Sequence, residues 1–162
     1  MIRILFAATA LIACAVPAQA QNTPGEALEA LYDVISGPVG EARDWDRFRS
    51  LFIEGARMTI AAPGEARVAT LSVEDYIARN GEALSRIGFT ETETGRRTYV
   101  YGEMATILSA YEAVRADTGE TVATGVNSLV IMETAEGWKI ASLAWRPADA
   151  AWPPEAGLIP ID

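Results

Sequence analysis

Tyr99, Tyr101, Tyr111, Glu112, Asn127 and Arg146 are the side chains of this chain whose types and spacing could do chemistry. A carboxylate beside phenols can move a proton while a phenol donates to a developing oxyanion. Glu112 is the candidate catalytic base, because burial in an apolar pocket would raise its pKa. The same residue also reads as a solvated strand charge, paired with Arg97 across the ladder. Tyr99, Tyr101, Tyr111, Asn127, Arg146 and Trp45 form the candidate ligand-binding set. Asn127 stands among Val126, Leu129, Val130 and Ile131, where an amide without a partner is costly. It would orient a ligand carbonyl or cap a backbone group at a bulge beside Gly125. Trp45, with Phe48, Phe52, Trp138 and Trp145, equally makes an aromatic core.

What is missing narrows the chemistry as much as what is present. The chain has no histidine and a single cysteine, Cys14. The commonest general base near neutral pH and the commonest zinc ligand are therefore absent. Asp44 with Asp46, and Glu91 with Glu93, lack the spacing of a calcium loop. No glycine-rich phosphate loop or nucleophile elbow is present, so neither a metal nor a cofactor is expected.

The elements that must position these residues follow from periodicity. Thr23-Pro24-Gly25-Glu26 is a helix start, followed by Leu28, Leu31, Tyr32 and Ile35 at helical spacing. A second helix is predicted over 41–52 and a short strand over 58–61. Ser72 followed by Asp75 opens a third helix, which Gly88 stops. Segments 90–101, 104–115, 121–134 and 138–146 are rich in β-branched and aromatic residues and are joined by hairpin-type turns. The fold class is α+β: three N-terminal helices packed on a strongly curved antiparallel sheet. On strand alternation, Tyr99 and Tyr101 share a face, whereas Tyr111 and Glu112 point to opposite faces. The tail, 151–162, is expected to run as an extended strap.

Residues 1–20 read as a signal peptide: Arg3, an apolar run, then Ala18-Gln19-Ala20 as the cleavage site. The apolar run is too short for a permanent membrane span. A rival reading takes Leu11-Ile12-Ala13-Cys14 as a lipobox, with Cys14 lipid-anchored. Either way residues 21–150 form one exported domain, periplasmic or secreted. With 13 basic and 22 acidic residues the net charge is −9, which disfavours nucleic acid and anionic membranes as partners.

These elements together resemble the nuclear transport factor 2-like superfamily (SnoaL-like, cystatin-like), in particular exported bacterial members. The resemblance rests on Leu31-Tyr32-Asp33-Val34-Ile35-Ser36-Gly37-Pro38 and on 43–52, which begins Arg43-Asp44-Trp45. It continues through Glu74-Asp75-Tyr76, 89–93, Ser109-Ala110-Tyr111-Glu112, Gly125-Val126-Asn127-Ser128 and Gly137-Trp138-Lys139-Ile140, covering about 24–147. It implies a cone with a cavity at its wide end. The superfamily holds isomerases, dehydratases, epoxide hydrolases, cyclases and non-catalytic binding or dimerisation domains, so fold alone decides little. His-dependent chemistry cannot transfer to this chain, and no strand offers the Asp of the hydrolase or isomerase patterns. The first expectation is a cavity that binds a small hydrophobic molecule. The alternatives are a homodimerisation or interaction module, and a carboxylate–tyrosine isomerase or hydrolase.

Overall fold

The computed structural model describes residues 20–62 and 68–158. All of the expected leader except Ala20, and with it Cys14, lies outside the described residues, as does the Pro63-Gly64 turn. The elements run α1 (Pro24–Ile35), α2 (Trp45–Ser50), β1 (Phe52–Ala61), β2 (Val68–Leu71), α3 (Val73–Ile87), β3 (Phe89–Tyr101), β4 (Met104–Arg115), β5 (Thr121–Thr134) and β6 (Gly137–Pro147). A short 3-10 helix, Pro154–Leu158, follows. One six-stranded sheet has the order β2-β1-β6-β5-β4-β3, antiparallel throughout except where β1 lies parallel to β6.

Two expectations about the architecture need correction. The helices do not all precede the sheet: β1 and β2 intervene before α3. The sheet also exceeds the four-stranded meander, because β1 is longer than its predicted last third and β2 was not foreseen. Gly55, at φ +77°, sits where the β1–β6 register slips, between Phe52 and Arg57. That irregularity breaks the alternation by which a strand is recognised.

The helix ends follow local chemistry. Thr23 Oγ1 accepts from the Glu26 amide at 3.2 Å, and the Glu26 carboxylate accepts from the Asn22 amide at 2.7 Å. Ser72 and Asp75 form a reciprocal capping box at the start of α3. Gly88, at φ +62°, ends α3 where a Cβ would lie 2.6 Å from the Ala116 Cβ. Helix α2 is shorter than predicted because Asp44 caps it, its Oδ1 accepting from the Arg47 amide at 2.9 Å. This leaves Arg43 outside the helix. Arg43 is buried and donates to the carbonyls of Ile35, Gly37, Glu41 and Leu84, tying the end of α1 to the end of α3.

The core lies between the helices and one face of the sheet. Leu28 and Leu31 of α1 and Phe48 of α2 pack over Met58, Ile107, Leu129, Ile131 and Ile140. Alternation along β4 turns Ala105, Ile107, Ser109, Tyr111 and Ala113 inward. A bulge between Glu93 and Gly95 shifts the phase of β3, so that Glu91 and Glu93 face inward but Tyr99 and Tyr101 do not. The tail crosses the opposite sheet face, where the Leu158 carbonyl accepts from Arg97 Nε at 3.1 Å and the 3-10 helix touches β3, β4 and β5. The expected strap is thus partly helical.

Candidate functional site

Between the helices and the inner sheet face lies a cavity of about 280 Å³. Leu31 and Ile35 of α1 and Tyr76, Asn80 and Leu84 of α3 form its helical side. Phe89, Glu91, Tyr111, Ala113, Ala123, Asn127, Leu143 and Trp145 line its sheet side, and Phe48 and Met58 its floor. The wall of aromatic rings is continuous. Phe48 stacks on Tyr76 at 5.3 Å with 15° between planes, and Tyr76 meets Trp145 edge-on at 6.3 Å.

Among the described residues, one carboxyl lines this apolar space. Glu91 reaches it because Phe89 and Glu91 alternate with the exposed Thr90 and Thr92, and because they pair across the ladder with Arg115 and the inward-facing Ala113. Desolvation raises the Glu91 carboxyl from its ordinary value of 4.5 to about 7, while a hydrogen bond from Asn127 acts in the opposite direction. Asn127 Nδ2 donates both to Glu91 Oε1 at 3.0 Å and to the Tyr32 hydroxyl at 3.1 Å.

The rest of the polar chain runs away from the cavity and has a fixed direction. Arg96 pairs with the Glu93 carboxylate, its Nη2 at 2.6 Å, so Glu93 is a pure acceptor. Ser109 Oγ therefore donates to Glu93 Oε1 at 2.7 Å and accepts from the Tyr32 hydroxyl at 2.7 Å. Tyr32 in turn accepts from Asn127, so the amide of Asn127 is held with its nitrogen toward Glu91. Burial pushes the Tyr32 hydroxyl up to about 12, and it pushes the Tyr76 and Tyr111 hydroxyls up as well. All three phenols therefore stay protonated near neutral pH. Among the described residues, the Tyr76 and Tyr111 hydroxyls take no hydrogen bond from the protein, although both side chains line the cavity.

Of the residues singled out from sequence, the structure brings Tyr111 and Asn127 together in the cavity. Tyr111 is 3% exposed and lies across Gly125, where a Cβ would stand 2.7 Å from its hydroxyl. The others are elsewhere. Glu112 pairs with Thr92 and Thr124 on the outer face and accepts from Thr121 Oγ1 at 2.9 Å. It does not face Arg97, which pairs with Leu108. Tyr99 and Tyr101 are 59% and 85% exposed. Arg146 is ion-paired to Asp149 at 2.6 Å beside the tail, and Trp45 packs edge-on against Phe48 behind the cavity wall. Asn127 caps no backbone group; its partners are side chains. The acid that sequence reasoning passed over is Glu91, whose only local signal is its period-two spacing from Phe89.

Comparison with known proteins places this geometry. No family profile matches the chain, and no curated protein matches its sequence. Solved structures do match. An NTF2-like protein with a cystatin-like fold from Novosphingobium aromaticivorans is 18% identical, over 83% of this chain and 85% of that chain, with a TM-score of 0.61. A candidate dehydratase of the NTF2-like family from Streptomyces avermitilis is 19% identical, over 78% and 94% of the two chains, at a TM-score of 0.60. A candidate ketosteroid isomerase from Shewanella frigidimarina is 16% identical, over 75% and 92%, at 0.53. The chain shares the α+β, cystatin-like fold of these NTF2-like structures.

Proposed function

We propose that this domain, exported by its first 20 residues, binds a small, largely apolar molecule in the cavity beneath α1 and α3. The observation that carries this reading is the Glu91 carboxyl, set in a hollow lined, apart from Asn80 and Asn127, by aliphatic and aromatic side chains. A few placed polar groups in a mostly apolar concavity are what orient a small ligand. Glu91, Asn127 and the Tyr76 and Tyr111 hydroxyls are those groups here. The test is a thermal-shift screen of small lipophilic compounds against wild type and Ala123→Leu, which fills the cavity from its rim. Compounds that stabilise wild type and lose their effect in Ala123→Leu support the site. A wild type that no compound stabilises, or equal stabilisation of both proteins, overturns it.

A second reading has one observation in its favour: a carboxyl raised to about 7 shares its cavity with two phenols that have no protein partner among the described residues. This is the equipment of a carboxylate–tyrosine isomerase. Glu91 would take a proton from carbon next to a carbonyl, and Tyr76 or Tyr111 would donate to the enolate oxygen. Solvent-deuterium exchange into a bound ketone, lost in Glu91→Gln, would establish it. Exchange that survives in Glu91→Gln would remove Glu91 from the role.

A further inference from the structure

We propose that the cavity selects a small lipophilic amine, whose ammonium pairs with the Glu91 carboxylate while its apolar body lies along the Phe48–Tyr76–Trp145 wall. This rests on the cavity being a ligand site and names the class of ligand. The charge pattern carries it. Among the described residues, Glu91 is the one carboxyl that lines the cavity, and no lysine or arginine lines it. An anionic ligand would meet a carboxylate with no cation to offset it. The neighbouring amides point the same way. Asn127 spends its nitrogen on Glu91 and Tyr32, and Asn80 spends one N–H on the Tyr76 carbonyl at 2.9 Å. With both of its N–H groups used, Asn127 has only its carbonyl oxygen left to offer, while Asn80 keeps its carbonyl oxygen and one N–H. An ammonium carries three donors and no acceptor, which complements the Glu91 carboxylate and the two carbonyl oxygens. Aromatic faces attract a cation further, most strongly where water is excluded. The net charge of −9 draws cations toward the molecule as a whole.

The same arrangement makes binding depend on pH. The titratable groups facing Glu91 are Tyr32 from α1, Tyr76 from α3 and Tyr111 from β4, with the neutral Asn127 from β5. Along its own strand, Glu93 is held in its ion pair with Arg96. The three phenols remain protonated, and an alkylamine is protonated well above pH 8. Between pH 6 and pH 8 the change in charge at the site therefore belongs to Glu91. With its carboxyl at about 7, the ionised fraction rises about tenfold over that interval.

The experiment is calorimetric titration of the purified protein with three probes of one body: 2-phenylethylamine, 2-phenylethanol and 3-phenylpropanoate. The amine should tighten about tenfold from pH 6 to pH 8, the alcohol should be nearly insensitive to pH, and the carboxylate should bind worst. Glu91→Gln should abolish the pH response of the amine. If that variant melts too low to assay, the wild-type comparison of amine with alcohol decides alone. An amine whose affinity ignores pH, or an alcohol or carboxylate that binds as tightly as the amine at pH 8, overturns the proposal. If the alcohol still binds and Ala123→Leu blocks it, the cavity reading survives that failure. If none of the three binds wild type, both fall.

Discussion

Replacing Glu91 by glutamine removes a carboxyl titration that burial makes unfavourable. The folded state holds the Glu91 proton more tightly than the unfolded chain, about 7 against 4.5. Its contribution to stability is therefore fully present below about pH 4.5 and is lost as the pH rises through about 7. The gap corresponds to about 3 kcal/mol, and the wild type carries that deficit above about pH 8. Glutamine keeps the shape and can still accept from Asn127 Nδ2 through its own carbonyl, but it does not ionise. Thermal melts of both proteins from pH 4.5 to 8.5 isolate this one group, because every other carboxylate is common to the two. At pH 4.5 the melting temperatures should nearly coincide. At pH 8.5 the variant should melt higher by about 10 °C, at 2–4 °C per kcal/mol for a chain of this size. Two melting curves that run parallel across the whole range would refute the claim that Glu91 is desolvated.

Two further substitutions probe what holds the site. Arg43→Met should cost about 3 kcal/mol in urea unfolding, because four backbone carbonyls lose their donor at the junction of α1 and α3; a loss below about 1 kcal/mol would mean water replaces the guanidinium. Gly125→Ala should cost about 2 kcal/mol by overpacking, since the new methyl meets the Tyr111 ring and stands 2.4 Å from the Arg146 carbonyl. It should also weaken any ligand that stabilises wild type, as Tyr111 is displaced; unchanged ligand stabilisation would take the Tyr111 hydroxyl out of the site.

Much of the scaffold was legible from residue order because its causes are local. The Thr23 and Ser72 caps, the glycine that stops α3 and the turns between β3, β4, β5 and β6 each depend on a few adjacent residues. Strand alternation correctly set Tyr111 and Glu112 on opposite faces, and the four long strands lie nearly where periodicity puts them. The second helix was overextended because Trp45, Phe48 and Phe52 continue a helical stripe, although Phe52 already belongs to β1.

The site itself was decided only when the strands met. Alternation says which residues share a face but not which face is covered, and that choice put Glu91 inside and Glu112 outside. The bulge at Glu93–Gly95 then reversed the phase within a single strand, so Tyr99 and Tyr101 lie on the side opposite to Glu91 despite their even spacing from it. Desolvation, which turns an ordinary glutamate into a group titrating near 7, is the summed effect of α1, α3 and four strands closing around it. No stretch of neighbouring residues contains that information, because burial is a property of the assembled layers.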